Sequence, residues 1–155
     1  MIDVYDASFS TVLYPGQLEF VILSRKAAET CRQSCPYILI SITDVDKSLL
    51  KESVDPNRCD LLRVQFNDVT SAQFFTVGLL SEDQADSIIN FVLKYYDAGV
   101  RRIVIHCEMG ISRSASVGKA ISEVINGESS QFDNKYSLNT MVYDLVYQRF
   151  KKKWD

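Results

Sequence analysis

Apolar and polar positions along the chain alternate between two textures. Residues 37–42 (YILISI) and 102–106 (RIVIH) are short, nearly continuous apolar runs, the pattern of strands buried on both faces. Residues 59–66 (CDLLRVQF) predict a third strand of the same buried, parallel type, and residues 2–5 and 18–23 predict two shorter ones. From Ser81 the period becomes helical. Apolar residues fall at 85, 88, 89, 92, 93 and 96, Ser81 and Gln84 are spaced for a capping box, and Gly99 ends the run. A second helix is predicted from Val117, Ala120, Ile121, Val124 and Ile125, stopping at Gly127. A last helix, with Ser137 as its expected cap, puts Leu138, Met141, Val142, Leu145 and Phe150 on one side and ends in Lys151, Lys152 and Lys153. Ser24 is placed to cap a short helix reaching about Gln33, and a helical turn is expected around residues 46–52.

Strands alternating with helices in this order predict an α/β sandwich around a mostly parallel central sheet flanked by helices. Prolines 15, 36 and 56 fall between the predicted elements, and no repeat or low-complexity linker divides the 155 residues. One domain spanning residues 1–155 is therefore expected.

Composition narrows the class of function. With 46% hydrophobic and 24% charged residues the chain is composed like an ordinary globular protein, and its apolar runs fall far short of the roughly 20 residues that span a bilayer. Met1 is followed by Ile2 and Asp3 rather than by a basic start and an apolar stretch, so a cytoplasmic protein with no membrane partner is expected. A net charge of −3, with Lys and Arg spread along the chain, gives no footprint for nucleic acid. Cysteines 31, 35, 59 and 107 are irregularly spaced and are expected to be reduced. Cys31 and Cys35 lie one helical turn apart, but with a single histidine in the chain they are expected to pack rather than to hold a metal.

The chemistry concentrates in residues 106–114, HCEMGISRS, between a buried strand and a helix. Such a loop opens beyond the carboxyl end of the sheet, where open α/β folds bind ligands. Closing onto a helix N-terminus, it can aim several backbone N–H groups at one point, where the helix dipole suits a phosphate. The expected phosphate-binding residues are Glu108, Met109, Gly110, Ile111, Ser112 and Arg113. Gly110 permits the curl, and the side chains of Glu108 and Met109 face outward. The planar fork of Arg113 can hold two phosphate oxygens as a lysine could not. The same donors lower the pKa of Cys107 and make it a thiolate nucleophile, and Ser114 can donate a hydrogen bond to the sulfur and help it leave. Of the four cysteines only Cys107 has an arginine six positions on.

The run His106-Cys107, five residues, Arg113, Ser114 resembles the signature of the protein tyrosine phosphatase superfamily. It is most similar to the small dual-specificity-like branch found in bacteria and their viruses. The likeness covers residues 61–122 and, more weakly, 139–145 (NTMVYDL). It implies a phosphatase-type three-layer sandwich, hydrolysis of phosphotyrosine (with phosphoserine and phosphothreonine as further substrates) through a phosphocysteine, no cofactor and no metal. The family's upstream acid falls on Asp68, just past the strand at 59–66, with Asp83 and Asp86 as competitors. His106 would orient the loop by hydrogen bonding. The implied partner is a phosphorylated protein or small phosphomonoester, and the expected state a monomer. Two alternatives stay open: a phosphatase for RNA ends or other non-protein phosphoesters, and a non-catalytic phosphate-binding module.

Overall fold

The computed structural model describes residues 16–70 and 78–155. Four strands, β1 (Glu19–Leu23), β2 (Tyr37–Thr43), β3 (Arg58–Gln65) and β4 (Arg102–His106), pair in the order β1-β4-β2-β3, all parallel. The helices are α1 (Arg25–Glu29), α2 (Glu82–Asp97), α3 (Arg113–Ile125) and α4 (Thr140–Trp154), with a short 3₁₀ turn at Ser130–Phe132 that the sequence pattern did not signal. In a parallel sheet every carboxyl end lies along one edge. The segments that leave the four strands, beginning at Ser24, Asp44, Phe66 and Cys107, therefore emerge side by side.

Alternate strand residues feed two cores. On one face Phe20, Ile38, Ile40, Ile42, Ile103 and Ile105 pack with the apolar stripes of α2, α3 and α4. On the other, Val21, Leu23, Leu39 and Val104 are covered by Ala27 and Ala28 of α1 together with Cys31 and Leu50. Each fully buried Ile or Phe contributes about 1.5–3 kcal/mol, so the two central strands, β4 and β2, form a stiff mount for the loops at their carboxyl ends. β3 departs from the expected burial on both faces. Like β1 it is an edge strand, but only Val64 is buried along it.

Local signals set most element ends. Ser81 and Gln84 form the reciprocal capping box at 3.0 Å each way, and Ser24 Oγ accepts from the Ala27 amide at 3.2 Å. Three expectations are corrected. α1 stops at Glu29 instead of continuing to Gln33: the Gln33 amide, which a longer helix would turn to the Glu29 carbonyl, donates to Asp55 Oδ2 (2.9 Å). Residues 46–52 form no helical turn. A β-turn closes there from the Lys47 amide to the Asp44 carbonyl (3.1 Å), and the carbonyls of Ser48 and Leu49 accept from Arg25. The cap of α4 is Asn139, whose Oδ1 accepts from the Val142 amide at 3.2 Å, not Ser137. The strand expected at residues 2–5 lies outside the described residues. Among the described residues no helix is long and apolar enough to cross a membrane.

Candidate active site

Cys107 continues β4 by one residue, and its amide donates to the Leu23 carbonyl at 3.4 Å. The register that sets Ser41 beside His106 also brings Ser41 Oγ to 2.6 Å from His106 Nε2. His106 Nδ1 lies 3.1 Å from the Cys107 carbonyl. Burial pushes the imidazole below its ordinary pKa and favours the neutral ring. A carbonyl can only accept, so the single N–H sits on Nδ1 and Ser41 donates to Nε2. The imidazole thus holds the carbonyl of the residue that carries the sulfur.

The loop then turns sharply. Gly110 has φ +74, and a Cβ there would lie 2.6 Å from the Leu23 carbonyl carbon and the Ser24 nitrogen. Only glycine fits that approach. The turn sends the Gly110 amide back to donate to Cys107 Sγ at 3.2 Å, and Ser114 Oγ stands 3.1 Å from the same sulfur. Burial alone would raise the thiol's pKa. Hydrogen bonds from the Ser114 hydroxyl and from the amides of Ser114, Gly110 and Ser112 outweigh it and bring Cys107 below the ordinary thiol value. The sulfur, in a residue only 2% exposed, sits at the N-terminus of α3, whose dipole works in the same direction. The Met109 side chain faces solvent at 71% exposure, while the Glu108 carboxylate turns aside to Arg25.

Arg113 opens α3 and is buried. Its Nη1 donates to Asp44 Oδ1 at 2.7 Å and to the Phe66 carbonyl at 2.6 Å. Asp44 follows β2 and Phe66 follows β3, so two neighbouring strand ends fix one corner of the guanidinium. Its Nε is buried and has no partner. Leaving such a donor unpaired costs about 1–3 kcal/mol, and an oxyanion ligand would recover it. Asp68 Oδ1 accepts from Ser112 Oγ (3.0 Å) and from Asn139 Nδ2 (2.8 Å), which leaves Oδ2 outside those two bonds. Asp68, Cys107, Ser112 and Arg113 line one cavity of about 210 Å³, with Met109, Ile111 and Leu138 also on its wall. Asp83 and Asp86 do not line it. Both oxygens of Asp86 are held by Arg149, and Asp83 lies in the exposed first turn of α2.

No family model and no curated protein matches the sequence. Solved structures do match its shape. A human tyrosine phosphatase-like serine/threonine/tyrosine-interacting protein superposes with a TM-score of 0.59 at 14% identity, over 91% of this chain and 94% of that one. Tk-PTP in its active form gives 0.52 at 16% identity, over 91% and 99% of the two chains. PTPMT1 in complex with PI(5)P gives 0.52 at 18% identity, over 77% and 78%. The chain has the fold of the tyrosine and dual-specificity phosphatases.

Within this phosphatase fold, the residues singled out from the sequence meet in one place: Cys107, Gly110, Ser112, Arg113, Ser114 and Asp68. Three contributors were missed. Asp44 and the Phe66 carbonyl hold Arg113, and Asn139 ties Asp68 to the start of α4 while its amide donates to Ser116 Oγ of α3 (2.7 Å). Asp44 did carry a signal, since it is an acid directly after a fully buried strand, at the edge where the chemistry lies.

Proposed function

We infer that the protein hydrolyses phosphomonoesters of the phosphotyrosine type through a phosphocysteine on Cys107. One observation carries this reading: Cys107, whose sulfur is hydrogen-bonded and held below the ordinary thiol pKa, and buried Arg113, whose Nε has no partner, line the same cavity. The Cys107 thiolate attacks phosphorus, an S–P bond forms, and the P–O bond to the leaving group breaks as Asp68 gives that oxygen its proton. Water then forms the new P–O bond, returns a proton to Asp68 and expels the sulfur, which the Ser114 hydroxyl stabilises as it regains its charge. Arg113 and the loop amides carry the equatorial oxygens through both steps.

The cavity wall bears on the substrate. Among the described residues lining it, Arg113 is the one cation, which suits a single phosphoryl group better than a polyphosphate end. Met109, Ile111 and Leu138 offer apolar contact to an aromatic ring. The test is turnover, with a chelator present, of para-nitrophenyl phosphate, phosphotyrosine and phosphoserine peptides, and 5′-triphosphorylated RNA. Phosphotyrosine peptides are expected to exceed the RNA in kcat/KM by at least about 10²-fold. Preference for the RNA would move the assignment to nucleic-acid ends. Oxyanion binding without turnover of any substrate would leave a phosphate-binding module.

A further inference from the structure

Arg25, the first residue of α1, is bound to the phosphate loop through both its main chain and its side chain. Its amide donates to the Glu108 carbonyl (3.1 Å) and its Nη1 to Glu108 Oε2 (3.2 Å). Its Nη2 reaches the other way, to the Ser48 carbonyl (2.7 Å), Ser48 Oγ (3.0 Å) and the Leu49 carbonyl (3.1 Å). These acceptors belong to the segment that begins at Asp44, the residue that holds Arg113. The two charged side chains are 19% and 25% exposed, so solvent screens this pair less than a fully surface one. The two-step chemistry above uses neither of them.

Left alone, Glu108 would oppose that chemistry. Its carboxylate is one residue from a sulfur that must ionise and then receive a dianion, and a like charge at such range disfavours both. Glu108 and Arg25 act in opposite senses on the adjoining His106, so both charges reach the end of β4. We propose that Arg25 is a positioning residue of the phosphate loop: it neutralises Glu108, turns its carboxylate away from the anion cavity, and ties the loop to the segment that anchors Arg113. The nature of the anion rests on the phosphatase reading. The brace itself does not.

The charged or titratable groups of the elements packed around Cys107 are His106 at the end of β4, Glu108 in the loop, Arg113 on α3, Asp44 after β2, Asp68 after β3 and Arg25 on α1. Arg25→Met keeps the aliphatic stem and removes one cation, which leaves Glu108 unopposed. Glu108→Gln removes the anion. If the proposal holds, the Arg25→Met effect must be large with Glu108 present and small without it.

The experiment measures the pH dependence of iodoacetamide alkylation at Cys107 in the parent, R25M, E108Q and R25M/E108Q proteins. The Cys107 peptide is tracked by mass spectrometry because the exposed Cys59 will also react. Tungstate affinity is measured in parallel. For R25M the reactivity curve is expected to move to higher pH and tungstate to bind about tenfold more weakly, a one-unit effect on the anion's environment. In R25M/E108Q both should return to the values of E108Q. R25K, which keeps the charge but cannot reach both sides, should fall between R25M and the parent, and it serves if R25M fails to fold. A curve for R25M superimposed on the parent's overturns the proposal. So does a shift undiminished in the E108Q background, which would leave Arg25 as a tether of Ser48 and Leu49 alone. Neither readout needs turnover, so a parent that hydrolyses no phosphoester yet shows these shifts defeats the phosphatase reading and keeps the brace.

Discussion

Cys107→Ser is expected to lower kcat by at least ~10⁴-fold while tungstate or phosphate still binds. The reason lies in what the hydrogen bonds around Sγ can achieve. Donation from Ser114, Gly110 and Ser112 brings a thiol below its ordinary pKa despite burial. The same donors cannot ionise a hydroxyl, which starts many units higher. Serine is nearly isosteric, so the loop, held by Gly110 against Leu23 and by His106 on the Cys107 carbonyl, should keep its shape. The anion's donors, Arg113 and the amides, are untouched, and a negative charge beneath the anion is gone. Steady-state kinetics and calorimetric titration of tungstate check the two halves separately. A serine variant retaining activity within about tenfold of the parent would mean that this sulfur is not the nucleophile.

Arg113→Lys keeps the charge and should still cost on the order of 10³-fold in kcat/KM. The guanidinium divides its work between two sides: Nη1 is spent on Asp44 and the Phe66 carbonyl, and Nε faces no protein partner. A lysine has one nitrogen. It can bind Asp44 and the carbonyl, or reach the phosphate, but cannot also present a planar pair of donors to two oxygens. Asp44→Asn is expected to do much less harm, because the Phe66 carbonyl still holds Nη1. If the lysine variant kept most of the parent's kcat/KM, Arg113 would be acting as a point charge, and its geometric role would be wrong.

What the sequence revealed was local. The loop 106–114 could be read because its strand, its glycine and its helix lie within a few residues of one another. The capping box at Ser81 could be read for the same reason. What it hid depends on contacts between distant segments. Asp44 and Arg113 are 69 residues apart and Asn139 and Asp68 are 71 apart, so the first pairing comes from strand order and the second from where α4 packs, neither of which periodicity encodes. Ser137 and Asn139 are comparable capping residues by propensity. Asn139 prevails because its amide group also reaches Asp68 and the Val69 carbonyl (3.0 Å). The early end of α1 has a similar cause, since Asp55 claims the Gln33 amide from outside the helix. β3 reads as buried because its apolar content matches that of a central strand, and only the pairing order places it at an edge.

The proposed mechanism rests on a covalent bond between Cys107 and phosphorus, which rapid-quench trapping can capture. The Asp68→Asn variant should release nitrophenolate from para-nitrophenyl phosphate, a leaving group that needs little help from an acid. It lacks the base for the second step and so should accumulate the intermediate, with steady turnover about 10²- to 10⁴-fold below the parent's. Acid-quenched protein, digested and weighed, is expected to carry one added phosphoryl group on the peptide containing Cys107. A burst of nitrophenolate with that peptide unmodified, or with the phosphoryl group on another residue, would contradict the account.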